Sequence, residues 1–350
     1  MKVAVNATSL RVGGALTILN QFVFNAALNK KYIFYIFVDH DFVPENRYDN
    51  IIFIALKKRT WLSRIVWDFY GFDKYLKINN LKVSKVVSLQ NTSINTEIDQ
   101  VVYLHQPLPF TSHRFSFFTD SKMFCYQRFY SFFIFLFYRE NTKTVVQTNW
   151  MKDKFIEMKP GKFITVIKPS INLPNVDKTI RPCNHLIYPA SPLNYKNHRV
   201  ILQAMSKLKK EGNLYDLQFN VTLSPGESSS FDNLVEENNL KNHVIYLGKL
   251  SYDQMIQEYQ KSIALVFPSY IETFGLPLAE AASLNMKIIA SDENFARDVL
   301  KGYKNVTFAK YNDVTQWCHL ISKAMNTTSE GKTSDFSYKS NWNDFFQLLE

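Results

Sequence analysis

The sequence predicts an α/β chain made of two units of alternating strand and helix. Three observations carry this. Short apolar runs of strand length recur in both halves, from Val3-Ala-Val5 to Lys287-Ile-Ile-Ala-Ser291, with helix-like patterns between them. A proline-bearing stretch, Lys168-Pro-Ser-Ile-Asn-Leu-Pro-Asn175, interrupts the rhythm, which then restarts. The chain has 350 residues, 46% hydrophobic and 21% charged, which suits two globular domains of ordinary size.

The first half opens with a strand at Val3-Ala-Val5, a loop carrying Gly13 and Gly14, and a helix over residues 15–28. Strand, glycine loop and helix make a phosphate-side arrangement, but a lone glycine pair is not the G-x-G-x-x-G fingerprint of a dinucleotide enzyme. A second strand, 32–38, ends at Asp39, where an oxidoreductase would keep its ribose-binding acid. Residues 57–70 join four cations to two tryptophans. They read either as an amphipathic helix packed on the sheet or as a segment lying on an anionic membrane. After a strand at Val86-Val-Ser-Leu89, the run Val101-Val-Tyr-Leu104 ends at His105, and Pro107 and Pro109 turn the chain away. A residue at a strand's carboxyl end lies where open α/β sheets bind ligands. Residues 115–138 are dense in Phe and Tyr, punctuated by Lys122 and Arg128. Apolar residues cover more faces than one buried stripe requires, so a membrane-interface segment and a buried helix both fit. Strands at 144–146 and 163–167 flank a helix at 151–158, and the boundary falls near 172–177.

The second half repeats the pattern. Strands are expected at 185–188, 217–223, 244–247, 263–267 and 287–291, with helices at 199–210, 252–260 and 313–325 and a short amphipathic one at 342–349. Ile263-Ala-Leu-Val-Phe267 leads into Pro268-Ser-Tyr-Ile-Glu-Thr-Phe-Gly-Leu-Pro-Leu-Ala-Glu280. Pro277 suits a first helical position, where a missing N–H costs nothing. Loop amides and a helix N-terminus above a strand attract phosphate. Glu272 and Glu280 flank that anion site, so the stretch suits a ligand with both hydroxyls and phosphate. A helix cap beside a solvated glutamate is the plainer alternative.

The bulk properties narrow the classes. A net charge of +10 points to anionic partners. The three cysteines, Cys125, Cys183 and Cys318, have neither zinc nor redox spacing, and a reducing cytoplasm fits. The amino terminus is too short in apolar run for a signal peptide. No run approaches the roughly 20 apolar residues that span a bilayer. No nucleic-acid motif is present.

The spacing Glu272-x7-Glu280, with Phe-Gly-Leu-Pro between, resembles the E-x7-E motif of retaining, nucleotide-sugar-dependent glycosyltransferases of the family-4 type. The resemblance covers essentially the whole chain and is strongest over 185–300. It implies two Rossmann-like domains facing across a cleft, the GT-B fold. Residues 1–172 would bind the acceptor, 173–335 the nucleotide-sugar, and a crossover helix in 336–350 would pack on the first domain. It further implies that Glu272 holds donor-sugar hydroxyls, helped by Thr273, Phe274, Gly275 and Leu276, and that Glu280 takes the ribose. Lys196 would stabilise the leaving diphosphate, and Leu250 would lie near the base. Gly13 and Gly14 approach donor or acceptor in that family, although a tight turn explains them equally. His105 would line the reaction centre. The family usually has an arginine shortly before the lysine, where this chain has Ala190 or Ser191, and a glycine where it has Asn197. No metal or cofactor is implied. The expected partners are a nucleotide-sugar donor, a glycan or lipid-linked acceptor, and an anionic membrane surface met by 57–70 and 115–138. The expected place is the cytoplasm, at the inner face of the cell membrane, in surface polysaccharide assembly such as O-antigen or capsule. A sugar-nucleotide epimerase shares the architecture, and a non-catalytic membrane-surface module is the third class.

Overall fold

The computed structural model describes residues 1–44, 46–57, 60–118, 120–173, 182–327 and 336–350. Lys58 and Arg59 of the basic segment, residues 174–177 of the expected boundary and 328–334 of a polar stretch lie outside the described residues. The chain divides into two compact units, Met1–Ser170 with Lys339–Glu350, and Ile171–Tyr338.

In the first unit the elements run β1 (Lys2–Asn6), α1 (Gly13–Leu28), β2 (Ile33–Asp39), β3 (Ile51–Leu56), α2 (Trp61–Val66), α3 (Phe72–Ile78), β4 (Lys85–Ser88) and β5 (Gln100–Leu104), then α4 (Ser121–Phe135), β6 (Lys143–Val146), α5 (Asn149–Met158) and β7 (Ile164–Val166). The sheet order is β3-β2-β1-β4-β5-β6-β7, and every pairing is parallel. A parallel sheet is covered on both faces, so its strands are continuous apolar runs rather than alternating ones. β5 shows this, since all five of its residues are buried. A π-helical turn, Trp67–Gly71, joins α2 to α3. Gly71 is needed there, because a Cβ would meet the Trp67 ring at 2.6 Å.

In the second unit follow β8 (Cys183–Tyr188), α6 (His198–Lys210), β9 (Gln218–Val221), α7 (Ser229–Glu237), β10 (Val244–Tyr246), α8 (Tyr252–Lys261), β11 (Ser262–Phe267), α9 (Leu276–Ser283), β12 (Ile288–Ser291), α10 (Asn294–Val299), β13 (Val306–Ala309) and α11 (Val314–Asn326). The sheet order is β10-β9-β8-β11-β12-β13, again parallel throughout. The order reverses between β8 and β11, and in the first sheet between β1 and β4. Such switch points open a crevice at the strands' carboxyl ends. Local chemistry fixes the helix starts. Ser251 and Gln254 form a reciprocal capping box on α8, and Asp313 caps α11 by accepting from Gln316 N at 2.9 Å.

The last helix, α12 (Trp342–Gln347), belongs to the first unit. Trp342, Phe345, Phe346 and Leu349 are buried against Phe22 of α1, and Trp342 lies parallel to Tyr103 with ring centroids 5.7 Å apart. Asn341 ties it down, accepting from Lys168 N at 2.7 Å and donating to Val166 O at 3.0 Å.

Five elements go beyond the sequence reading: β3, α3, α7, α10 and β13. Helix α10, at 6 residues, is too short to show a period. Two details are corrected. Pro277 is the second helical residue, because α9 begins at Leu276. Gly13 and Gly14 are not in a loop but start α1, Gly13 with φ +58°.

Candidate active site

The second unit's site is built at its switch point, from the loops that leave β8 and β11. After β8 the chain makes a 3-10 turn, Asn194–Lys196, then Asn197 with φ +58° before α6. Asparagine tolerates that left-handed conformation better than most residues, so it does the conformational work of a glycine there. It adds two bonds that glycine lacks, donating to Tyr311 O at 2.7 Å and to Pro268 O at 3.3 Å. The β11 loop is stitched to the same turn. Tyr270 N donates to Tyr195 O at 3.1 Å, and the buried Ser269 hydroxyl donates to that carbonyl at 3.2 Å.

These bonds bring Lys196 and Glu272 together. Lys196 Nζ donates to Glu272 Oε1, and both side chains are mostly buried, at 18% and 14% exposed. The next residues, Thr273, Phe274 and Gly275, lead to the N-terminus of α9, with Phe274 buried. Gly275 is the N-cap at φ +80°. A Cβ there would also meet Leu278 at 3.2 Å and Phe267 at 3.4 Å, so backbone and space both demand glycine. Leu276 opens the helix. The arrangement sets a cation and a carboxylate just ahead of the start of α9, which can receive a polyhydroxylated phosphate ester.

Glu280 has a different partner. Its carboxylate is partly buried and accepts from the Tyr259 hydroxyl of α8 at 3.0 Å. Burial pushes its pKa up to about 7, against the lowering effect of that bond. Burial, then Glu280, raises Tyr259 well above the usual phenol range. Leu250 stands in the loop between β10 and α8, just ahead of the Ser251 cap. Tyr195 is pushed up to about 12, first by burial and then by the Glu272 charge.

His105 and the glycine pair lie in the first unit. His105 follows β5, and its Nε2 lies 2.8 Å from Leu89 O, which places the ring proton there and leaves Nδ1 as the acceptor. Its backbone N–H donates to Asn91 Oδ1, and Asn91 takes φ +66° to reach. Burial lowers the His105 pKa to about 4; the Leu89 bond opposes this and the Arg64 charge adds to it. A buried network beside it escaped the sequence reading. Asp68 accepts from Asn6 and from Thr92, each at 2.8 Å, Thr8 donates to Gln90 Oε1 at 3.0 Å, and Arg64 donates to Gln90 O. Each is an ordinary polar residue in sequence, and only the β1 and β4 strand ends bring them together. Gly13 and Gly14 have open space where a Cβ would sit.

Asp39 does not resemble a free ribose-binding acid, because it is buried and holds Arg11 at 2.7 Å. Among the described residues, Asp39, His40 and Asp41 are the one group placed to reach a single metal ion.

The two stretches expected to meet a membrane are partly surface. Leu62, Val66, Phe69 and Tyr70 are exposed on the α2–α3 segment, as are Phe117, Phe118, Phe129 and Phe132 on and before α4. Two components differ from the expectation: Trp67 is buried and bonded to Asn6, and Arg64 is turned inward. Within α4 only Tyr130 and Ile134 are buried. Among the described residues no helix is long and apolar enough to cross a membrane.

Residues 182–340 match the family model for glycosyl transferases group 1. The second unit is a group 1 glycosyltransferase domain. The O-antigen chain mannosyltransferase RfbU of Salmonella typhimurium is 24% identical over 250 residues, 69% of this chain. The match spans 66% of RfbU, just under two-thirds of its length. Among solved structures, WaaG, a glycosyltransferase involved in lipopolysaccharide biosynthesis, superposes with a TM-score of 0.67 at 14% identity, over 93% of this chain and 90% of that one. HepE of Anabaena, solved with UDP and glucose, gives 0.63 at 11% identity, over 93% and 90%. The chain therefore has the GT-B fold, two parallel-sheet α/β domains.

Proposed function

We propose that the protein is a retaining, metal-independent glycosyltransferase that moves a sugar from a nucleotide-sugar to a glycan or lipid-linked acceptor in bacterial surface polysaccharide assembly. The observation that carries this reading is the Lys196–Glu272 ion pair beside the α9 N-terminus, inside the stretch that matches the group 1 model. RfbU makes mannose the first sugar to test.

In this reading the diphosphate arrives at Lys196 and the α9 amides. It competes with Glu272 for the ammonium and releases the carboxylate to accept donor-sugar hydroxyls. Glu280 accepts from the ribose, and Leu250 lies by the base. The bond from the anomeric carbon to the diphosphate breaks as the acceptor oxygen bonds the same carbon. The diphosphate leaves with the bond's electron pair, stabilised by Lys196, and takes the acceptor's proton. His105, neutral near pH 7, lines the acceptor side with its Nδ1 lone pair. The first unit, with Gly13 and Gly14, takes the acceptor. Its exposed aromatics on α4 and the α2–α3 segment, with Lys122 and Arg128 nearby and a chain charge of +10, favour attachment to an anionic lipid surface at the cytoplasmic face.

The test is a thermal-stabilisation screen of UDP-, GDP- and dTDP-sugars, followed by product analysis with and without acceptor. Stabilisation by one donor that Glu272→Ala removes, with transfer only when acceptor is present, is expected. Conversion of the donor alone would replace transfer by epimerisation, and no donor binding would remove the proposal. Co-sedimentation with anionic vesicles at low salt tests the surface arm, which fails if no protein sediments.

A further inference from the structure

The second unit holds a groove of about 800 Å³ that the donor reading leaves unused. It lies between α7, the start of α6 and the loop after β13, and neither Lys196 nor Glu272 lines it. Its volume suits a ligand of several rings. One wall is an aromatic pair, Tyr270 and Tyr311, with ring centroids 4.8 Å apart. The opposite side presents neutral amide and hydroxyl groups, among them Asn233 and Gln203. The lining holds one cation, Arg199, and one anion, Glu237, so it carries no net charge.

His198 supplies a second, independent observation. It lines the groove, is only 6% exposed, and its Nε2 is buried without a hydrogen-bond partner. An unmet buried polar atom costs free energy. The ring sits between Tyr188 and Phe231, which keeps it in place. Burial, then the Lys196 charge, lowers its pKa to about 3, so it stays neutral and does not attract an anion.

We propose that this groove is a second carbohydrate site, binding a neutral oligosaccharide apart from the donor. The proposal rests on the glycosyltransferase reading and adds a place for a part of the glycan remote from the transferred sugar. Aromatic faces beside amides and hydroxyls match the apolar faces and hydroxyl edges of sugar rings. The groove is also tied to the donor loop. Tyr270 N bonds Tyr195 O at 3.1 Å and Asn197 bonds Tyr311 O at 2.7 Å, so each tyrosine is anchored to a residue adjoining Lys196. An occupied groove therefore steadies the turn that carries the cation.

The experiment uses the whole chain. Saturation-transfer NMR titrations with α-linked manno- and malto-oligosaccharides are run on wild type, on Asn233→Trp, which fills the groove from the exposed face of α7, and on Tyr311→Ala, which removes a stacking face. Donor-induced thermal stabilisation is measured on the same samples. Oligosaccharide binding should weaken roughly tenfold or more in both variants, while donor stabilisation persists and shows that they are folded. The proposal is overturned if wild type binds neither series, if both variants bind as wild type does, or if inorganic phosphate alone displaces the oligosaccharide. Loss of donor stabilisation in wild type would count against the donor site and leaves the oligosaccharide arm to be read by itself.

Discussion

The carboxyl ends of the two sheets solve one problem, holding polar groups in a mostly buried place, by opposite means. In the second unit the groups are charged: Lys196 against Glu272, with Glu280 partly buried nearby on α9. In the first unit the group at the strand end is neutral. His105 is held by the Leu89 carbonyl and the Asn91 amide, and the charges around it, Arg64 and Asp68, are absorbed in a network with Asn6, Thr92 and Gln90. A charged pair can be exchanged for a charged ligand. A neutral ring held through Nε2 orients its neighbours and moves little charge. The contrast is the one expected under the proposed division, with donor chemistry in the second unit and acceptor positioning in the first.

Breaking the charged end should have the largest effect. Lys196→Ala and Glu272→Ala should each lower transfer by about 10²-fold or more, the scale of one transition-state contact. Each also leaves its partner buried and unpaired, so the variants should melt at lower temperature as well. Steady-state assays beside thermal melts read both. Wild-type turnover in either variant would end the assignment.

Glu280 offers a test of opposite sign on stability. Its folded pKa, about 7, lies above the ordinary carboxylate value of 4.5. In the window between these values the native chain keeps a proton that the unfolded chain has released, so stability falls as pH rises through it. Above pH 7 the full penalty of the buried charge, about 3 kcal/mol, is in place. Glu280→Gln should therefore stabilise the protein at pH 8 and lose that advantage below pH 5, while weakening donor binding. Denaturant titrations at the two pH values check it; equal differences at both would show that burial does not govern this carboxyl.

Gly275→Ala should cost about 2 kcal/mol. A left-handed conformation costs about 1–2 kcal/mol for a residue with a Cβ, and the added atom would press on Leu278 and Phe267. A melt within error of wild type would mean that the loop relaxes at no cost.

What the sequence made legible follows from how local each signal is. Strands of the parallel sheets are apolar runs, and Val3-Ala-Val5, Val101-Val-Tyr-Leu104 and Ile263-Ala-Leu-Val-Phe267 announce themselves. Glu272, Gly275 and Glu280 sit in one short stretch with fixed spacing. The Lys196–Glu272 pair joins residues 76 apart, and no local pattern shows that they touch. Tyr259 is an ordinary tyrosine on α8 until the fold sets it against Glu280. Asn197 looked like a departure from a glycine position, and its positive φ explains why asparagine serves there. The runs of phenylalanine in 115–138 and 342–349 look alike in sequence. The fold buries Trp342, Phe345 and Phe346 of α12 and leaves Phe129 and Phe132 of α4 exposed.

The smallest effect should fall on the neutral end and sharpens the comparison most. With a pKa near 4, His105 is uncharged through the usual assay range and its Nε2 proton is held by Leu89. It can accept a hydrogen bond through Nδ1 without taking a proton. His105→Gln should then cost about tenfold or less, below the 10²–10⁴ typical of a group that transfers a proton. The kcat/KM profile should show one limb near pH 7, from Glu280, that disappears in Glu280→Gln and survives in His105→Gln. A loss of 10³ in His105→Gln, or a limb near neutrality that vanishes with the histidine, would place proton transfer in the first unit and undo the division between the two strand ends.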